Sequence, residues 1–194
     1  IKDIFEGILI TSITREDSVK VKNIKEFFYD LSMVVKKCNS LEQSFAKYIE
    51  PDYLKNEHLD KIDPREKAAT KITISFLKFP KVLFLHLNRA EFNFRSEKIK
   101  SYFSFNENLN ISPFLCKKNF HSGSTIYKLY GVIVHHGSLA TDGHYYVFLK
   151  PSEIDGWYKF NDSFIQKSSL NEAIYNNYGG KNTNFLLGCN LYKS

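Results

Sequence analysis

The most informative stretch of the chain is YGVIVHHGSLATDGHYY, which occupies residues 130–146. β-Branched and aromatic side chains predict one strand over Tyr127–His135 and a second over His144–Lys150. A polar loop with glycine at both ends lies between them. The loop permits access, the strand that follows fixes the imidazole of His144, and histidine exchanges protons near neutral pH. The stretch therefore predicts a hairpin that presents a general base.

A second polar motif, WYKFNDS at residues 157–163, ends another predicted strand. Its Asn161 and Asp162 can each accept a hydrogen bond from an imidazole N–H. Asn161 follows His144 by 17 residues (161 − 144), which suits a hairpin whose strand ends lie side by side. We therefore expect one of the two side chains to hold the His144 ring while the other ring nitrogen faces a nucleophile. From the spacing alone, a surface histidine followed by a polar turn is an equally good interpretation.

The rest of the chain predicts an α+β fold dominated by one antiparallel sheet. Capping boxes at Ser40–Gln43 and Ser169–Glu172 each begin a helix; the first stops before Pro51, and the second reaches about Tyr178, where Gly179 ends it. The predicted strands are close together, which leaves no room for crossover helices in the second half. They are Ile8–Ile13, Asp30–Val35, Lys71–Leu77, Val82–Leu87, Ile99–Phe105, Tyr127–His135, His144–Lys150, Trp157–Phe160 and Phe164–Lys167.

Composition excludes several classes of protein. The 194 residues are 43% hydrophobic and 25% charged, which suits a domain with a real core and excludes disordered and collagen-like chains. The net charge of +6 is spread out, so we expect no nucleic-acid partner. No apolar run is long enough for a membrane span. Three scattered cysteines suggest a reducing compartment, and without CxxC or HExxH we expect no metal and no cofactor.

In combination, these motifs resemble those of the ubiquitin-specific proteases, papain-like cysteine enzymes that remove ubiquitin. Residues 130–135 with 143–146 resemble the histidine box of that family, and residues 157–163 resemble its last catalytic box. Three further similarities are Tyr178-Gly179-Gly180 to the turn that follows, residues 79–89 to the strand that enters the palm, and Lys98-Ile99 with Phe103 and Phe105 to the next strand.

The resemblance implies a role for each candidate site residue. His144 is the catalytic base, Asn161 orients it and Asp162 is a secondary polar partner. The predicted substrate-binding residues are Tyr145 and Gly143, as walls of a narrow channel for the ubiquitin tail, and His135 and His136, which shape the loop before His144.

The resemblance also implies a hand-shaped fold with thumb, palm and fingers. We expect residues 1–194 to be the C-terminal part of one catalytic domain, with finger-like strands in 1–37, mainly palm in 38–194, and no thumb. Residues 13–16 lack the cysteine pair of zinc-binding fingers, which indicates the zinc-free branch. The Asn-rich box that carries the family's nucleophile is missing. Cys38 precedes a helix start but is better interpreted as a packing residue, as are Cys116 and Cys189.

The functional hypothesis is a deubiquitinating cysteine protease whose nucleophile lies outside this chain, so that the chain alone is inactive. The implied partners are ubiquitin and ubiquitinated proteins, and we expect a monomer in the cytoplasm, the nucleus or both. One alternative is a catalytically inactive module that binds ubiquitin. Another is a basic scaffold that binds nucleic acid, which the scattered charge disfavours.

Overall fold

The computed structural model describes residues 1–15, 18–54, 69–90, 98–116, 124–137, 139, 142–152, 155–180 and 186–194, with the backbone alone for 186–189. The helices of this part of the chain are short: α1 (Lys2–Phe5), α2 (Leu41–Tyr48) and α3 (Leu170–Ala173). Its strands are β1 (Gly7–Arg15), β2 (Val21–Phe28), β3 (Asp30–Val34), β4 (Asp52–Leu54), β5 (Thr70–Lys78), β6 (Val82–Asn88), β7 (Asn108–Asn110), β8 (Ile126–His136), β9 (His144–Leu149), β10 (Trp157–Asn161), β11 (Phe164–Ser168) and β12 (Leu186–Lys193).

The described strands form two sheets. The larger has the order β11-β10-β9-β8-β12-β6-β3, with β7 also paired to β8, and the smaller has the order β2-β1-β5-β4. All neighbours are antiparallel except β3 and β6, which pair in parallel. The α+β, mostly antiparallel prediction is confirmed, whereas the second sheet was not predicted. The parallel pair is possible because α2, β4 and β5 lie between β3 and β6 and form a long connection.

The predicted division of the chain at residue 37 stays a prediction. The four-stranded sheet takes β1 and β2 from before that residue, and β4 and β5 from after it. β2 was missed because its residues from Val21 to Phe27 are all exposed, so its sequence lacks the apolar alternation of a half-buried strand. Among the described residues, no helix has the length and apolar character needed to cross a bilayer.

Aromatic side chains join α2 to the smaller sheet. Phe76 of β5 lies with its ring centroid 6.2 Å from Phe45 of α2 and 4.6 Å from Phe79. Phe45 also stacks on Phe114 at 4.8 Å, and Phe28 of β2 meets Phe76 edge to face at 5.8 Å. Offset and edge-to-face rings of this kind add to the stabilisation that comes from burying their area. The core therefore continues from the helix into both sheets.

The expected strand over Ile99–Phe105 was wrong. The reason is the guanidinium of Arg89, which is buried at 1% exposure and donates to the carbonyls of Ile99 (3.1 Å), Ser101 (2.9 Å) and Tyr178 (3.1 Å). Two of these carbonyls lie in the expected strand, where they would otherwise bond a neighbouring strand. Burial lowers the pKa of Arg89 to about 10, so the side chain stays charged at neutral pH.

The second predicted capping box is present in full. The N–H of Glu172 donates to the Ser169 hydroxyl and the N–H of Ser169 donates to the Glu172 carboxylate, both at 3.2 Å. The expected extent of the helix to about Tyr178 was wrong, because α3 ends at Ala173 and a 3-10 turn, Tyr175–Asn177, follows.

Asn177 explains the early end of α3. Its buried side-chain amide donates to the carbonyls of Glu172 (2.8 Å) and Ala173 (2.9 Å), which are among the groups that a helix end leaves unpaired. Gly179 then adopts the predicted left-handed backbone, with φ of +84°. A Cβ atom at Gly179 would lie 2.7 Å from the Ser101 carbonyl oxygen, so the position also needs glycine for space.

Two buried asparagines give opposite predictions for stability. Asn190 of β12 is 0% exposed, and neither side-chain amide atom has a hydrogen-bond partner among the described residues. We expect Asn190→Leu, which is close in shape, to raise the free energy of unfolding by about 1–2 kcal/mol, because it removes two unpaired polar atoms.

Asn177→Leu is the matched control. Because it removes two hydrogen bonds that satisfy α3 carbonyls, we expect it to lower the free energy of unfolding by about 1–3 kcal/mol. Urea unfolding of both variants beside the wild type measures the two changes. Destabilisation by Asn190→Leu would show that the Asn190 amide is satisfied in solution.

Candidate active site

Strand register places His144 and Asn161 on the same face of the larger sheet. In the β9–β10 pair, Phe148 lies opposite Lys159. His144 precedes Phe148 by four residues and Asn161 follows Lys159 by two, so both side chains point to the face that carries Phe148. β8 contributes Val134 to the same face, opposite Tyr146. His144 and Asn161 lie at the rim of this face, beside its buried side chains.

The two side chains are in direct contact. His144 Nε2 lies 2.5 Å from Asn161 Oδ1. An amide oxygen can only accept a hydrogen bond, so Nε2 carries the proton and, in the neutral ring, Nδ1 carries the lone pair. The His144 side chain is 47% exposed, which leaves room for another group to approach. This arrangement can take a proton at Nδ1 while Asn161 holds the ring.

Asp162 is a weaker, more exposed partner of the same imidazole. Asp162 Oδ2 lies 3.7 Å from His144 Nε2, and its side chain is 75% exposed. Asp162 begins the two-residue turn between β10 and β11 with φ of +54°, a left-handed conformation that aspartate adopts more readily than most residues. The 3.7 Å separation is beyond a hydrogen bond, and a pair this exposed would stabilise little even with a protonated ring, so Asp162 is a secondary contact beside Asn161.

The predicted substrate-binding residues Tyr145 and His135 lie on the opposite face of the sheet. They are cross-strand partners, and their rings stack with centroids 4.4 Å apart. His135 is buried whereas Tyr145 is 61% exposed. His136 is exposed and pairs with His144 across the strands. The site residues thus form two clusters, one on each face of β9.

Gly143 lies where the two clusters meet. A Cβ atom there would lie 2.3 Å from the His136 carbonyl oxygen and 2.6 Å from His135 Nε2. Only glycine therefore allows the loop to pass this close to the end of β8. The residue that precedes His144 is thus packed directly against the His135 ring.

His135 has the most perturbed environment of the candidate residues. Burial lowers the pKa of His135, and the neighbouring ammonium of Lys98 lowers that pKa further, while Asp142 acts in the opposite direction and His136 in the same one. Its Nδ1 is buried with no hydrogen-bond partner among the described residues. The neutral form of His135 is therefore favoured in the folded protein.

The described cysteines do not complete the site. Cys38 is buried in the hydrophobic core, and Cys116 lies beside β5, where its N–H donates to the Phe76 carbonyl. The side chain of Cys189 lies outside the described residues. In the part of the chain that the structure covers, no cluster of His, Cys, Asp and Glu could hold a metal ion.

Comparison with known proteins gives the family. The family model "Ubiquitin carboxyl-terminal hydrolase" matches residues 1–185. The chain belongs to this family. Ubiquitin C-terminal hydrolase 12 of Arabidopsis thaliana is 32% identical to this chain in an alignment of 188 positions that covers 93% of the chain and 17% of that relative. Ubiquitin carboxyl-terminal hydrolase 5 of Schizosaccharomyces pombe is 34% identical over 158 residues, 80% of the chain and 14% of that relative. The chain thus spans less than a fifth of either relative.

Solved structures match the fold. The SAGA DUB module Ubp8/Sgf11/Sus1/Sgf73 bound to monoubiquitin contains a chain that superposes with a TM-score of 0.79 and 25% identity, over 98% of this chain and 41% of that one. The same module bound to ubiquitin aldehyde gives 0.77 and 24%. The predicted membership of the ubiquitin-specific protease family and the papain-like α+β fold are confirmed, while the roles of individual residues stay predictions.

The sequence interpretation missed the buried environment of Lys98. Lys98-Ile99 was noticed only as part of a motif, with no role for the lysine. In the structure the ammonium of Lys98 is buried and donates to the carbonyls of His135 and Gly137. Nothing in its sequence neighbourhood signals this, because the partners are 37 and 39 residues away.

The contact between Gly143 and β8 generates a stability prediction. We expect Gly143→Ala to lower the free energy of unfolding by about 2 kcal/mol or more, because the new methyl group meets a backbone carbonyl and a buried ring. Gly156→Ala is the control, since its φ of +76° costs about 1 kcal/mol but its Cβ would meet nothing within 4 Å. Thermal unfolding compares them, and equal losses would contradict the close approach.

Burial of His135 generates a pH prediction. Its pKa is lowered in the folded state from the ordinary 6.5, so below that pH the unfolded state binds a proton that the folded state resists. The contribution of neutral His135 to the free energy of unfolding is therefore present in full above pH 6.5 and falls as the pH drops towards the folded-state pKa. We expect urea unfolding at about pH 7.5 and about pH 5.5 to show this loss, and His135→Gln to reduce it.

The control for this measurement is His86→Gln, which changes an exposed histidine of β6 and should keep the wild-type pH dependence. If His135→Gln also kept that dependence in full, the acid sensitivity would arise at other groups.

Proposed function

We propose that the protein that carries this chain is a deubiquitinating cysteine protease. It hydrolyses the isopeptide or peptide bond after the C-terminal glycine of ubiquitin, and its nucleophilic cysteine comes from outside this chain. The contact that supports the proposal most directly is the 2.5 Å hydrogen bond between His144 Nε2 and Asn161 Oδ1. Membership of the ubiquitin carboxyl-terminal hydrolase family supplies the substrate class.

The proposed mechanism uses the free nitrogen of His144. Nδ1 takes the proton of the cysteine thiol, and the resulting thiolate attacks the carbonyl carbon of the ubiquitin C-terminal glycine. The C–N bond breaks as Nδ1–H protonates the leaving amine, which leaves a thioester. Water then attacks the thioester and gives its proton to Nδ1, and the thiol is released in turn. Asn161 accepts from Nε2–H throughout and keeps the ring oriented.

The proposed substrate-binding residues lie next to the base along β9 and at the end of β8. Gly143 presents no side chain immediately before His144, as a channel for a glycine-ended tail requires. Tyr145 offers an exposed ring on the opposite face of the sheet. His135 and His136 hold the end of β8 against Gly143. A structural neighbour, Ubp8 in its SAGA module, is bound to monoubiquitin, which supports ubiquitin as partner here.

The remaining expectations are part of the same proposal. We infer ubiquitinated proteins as substrates, an intracellular location in the cytoplasm, the nucleus or both, a monomeric state, and no nucleic-acid partner. The scattered positive charge supports the last of these.

The catalytic roles predict a graded loss of activity in the full-length protein. We expect His144→Ala to lower kcat/KM on ubiquitin-amidomethylcoumarin by about 1,000-fold, because the proton acceptor is lost. Asn161→Ala should lower kcat by about 100-fold, because the ring is no longer held in the productive tautomer. Fluorescence release measures both.

His86→Ala is the matched control, because His86 is exposed on β6, three strands from β9 in the sheet order. Full activity of His144→Ala would refute the proposed mechanism. A wild-type protein that binds ubiquitin in a titration but releases no fluorophore would instead establish the alternative, an inactive ubiquitin-binding module.

A further inference from the structure

Lys98 is a buried cation at the base of the loop that delivers His144. The residue is 6% exposed. Its ammonium Nζ donates to the carbonyl oxygen of Gly137 at 2.8 Å and to that of His135 at 3.2 Å. These carbonyls lie on either side of His136, where β8 ends and the loop begins. One side chain from a distant segment therefore fixes the direction in which the chain leaves the strand.

The loop that starts there returns to nearly the same point. A Cβ atom at Gly137 would lie 2.4 Å from the Asp142 carbonyl oxygen and 2.9 Å from the Cα of Gly143. A Cβ atom at Gly143 would in turn lie 2.3 Å from the His136 carbonyl oxygen. The two glycines thus close the loop by backbone contact, and His144 is the next residue. Because packed backbone does not compress, a displacement of Gly137 also displaces Gly143 and with it His144.

Arg89 offers a comparison within the same structure. It is also a buried cation that donates to carbonyl oxygens, but its partners are Ile99, Ser101 and Tyr178. None of them belongs to the loop before His144. Arg89 therefore secures the irregular segment after β6, whereas the Lys98 ammonium donates to two carbonyls at the loop entrance.

We propose that Lys98 is a positioning residue for His144: its ammonium holds the carbonyls of His135 and Gly137, and so holds Gly143 and the imidazole in line with Asn161. Lys98 does not touch the reacting atoms. The inference rests on the proposed function for its effect on turnover, but the orientation of the His144 ring can be measured without any reaction.

The role predicts a selective kinetic defect. If Lys98 sets the position of the base, its loss reduces the chemical step more than the binding of ubiquitin, which depends on a broad surface. We expect Lys98→Met in the full-length protein to lower kcat by about 10- to 100-fold on ubiquitin-amidomethylcoumarin, with KM within about twofold of the wild type. Lys98→Arg keeps the charge and the donors and should recover most of kcat.

The orientation itself is read by NMR of protein labelled with ¹⁵N in its histidine rings. In the wild type we expect the His144 shifts of a ring protonated at Nε2 alone. In Lys98→Met the two ring nitrogens should move towards the averaged shifts of a free histidine side chain, and in Lys98→Arg they should return. If Lys98→Met does not fold, Lys98→Gln is read in the same way. Asn177→Leu, the control for a general loss of stability, should leave these shifts unchanged, because its lost hydrogen bonds belong to α3.

The outcomes separate the two proposals. Wild-type kcat and unchanged ring shifts in Lys98→Met would overturn the positioning role and leave the proposed function intact. Equal effects of Lys98→Met and Asn177→Leu would also overturn it, since general destabilisation would then explain both. An inactive wild type whose His144 shifts still respond to Lys98→Met would refute the proposed function and support the positioning role.

Discussion

The register of β9 between β8 and β10 is the constraint on which the candidate site depends. Side chains alternate between the faces of a sheet, so a slip of one residue would put His144 on the face opposite Asn161. The register is fixed by burial, because Val132, Phe148 and Trp157 of the same face are all in the core. The hydrophobic pattern that builds the core therefore also places the imidazole and the carboxamide on the same face of the sheet.

Features that depend on residues close together in the chain could be predicted from the sequence, whereas features that depend on contacts between distant segments could not. The capping box at Ser169–Glu172 and the hairpin spacing of His144 and Asn161 involve few residues, so propensity and turn chemistry decide them. The segment Ile99–Phe105 has strand-like residues but is irregular, because Arg89 takes its carbonyls. The parallel pairing of β3 with β6 likewise depends on the whole intervening chain. Tertiary contacts override propensity in both cases.

Two buried cations define the irregular part of the structure. Removing a charged group from water costs several kcal/mol, and carbonyl partners offset much of that cost. Arg89 and Lys98 therefore contribute less to overall stability than to geometry: Arg89 fixes three carbonyls and Lys98 fixes two. Arg89 fixes carbonyls of the irregular segment 98–105, and Lys98 fixes those at the end of β8. Both positive charges thus act at the ends of strands, where regular strand pairing stops.

In the proposed mechanism, the base and its orienting residue form a half-site that lies entirely within this chain. Asn161 fixes the tautomer of His144 before any nucleophile arrives, so the orientation is established by folding and need not be acquired during reaction. In that mechanism a thiol-bearing surface covers the half-exposed ring and excludes water, so the hydrogen bond from His144 to Asn161 strengthens as the local dielectric falls. In the proposed mechanism, activity then depends on how closely that surface approaches Nδ1, and the hairpins around His144 need not rearrange.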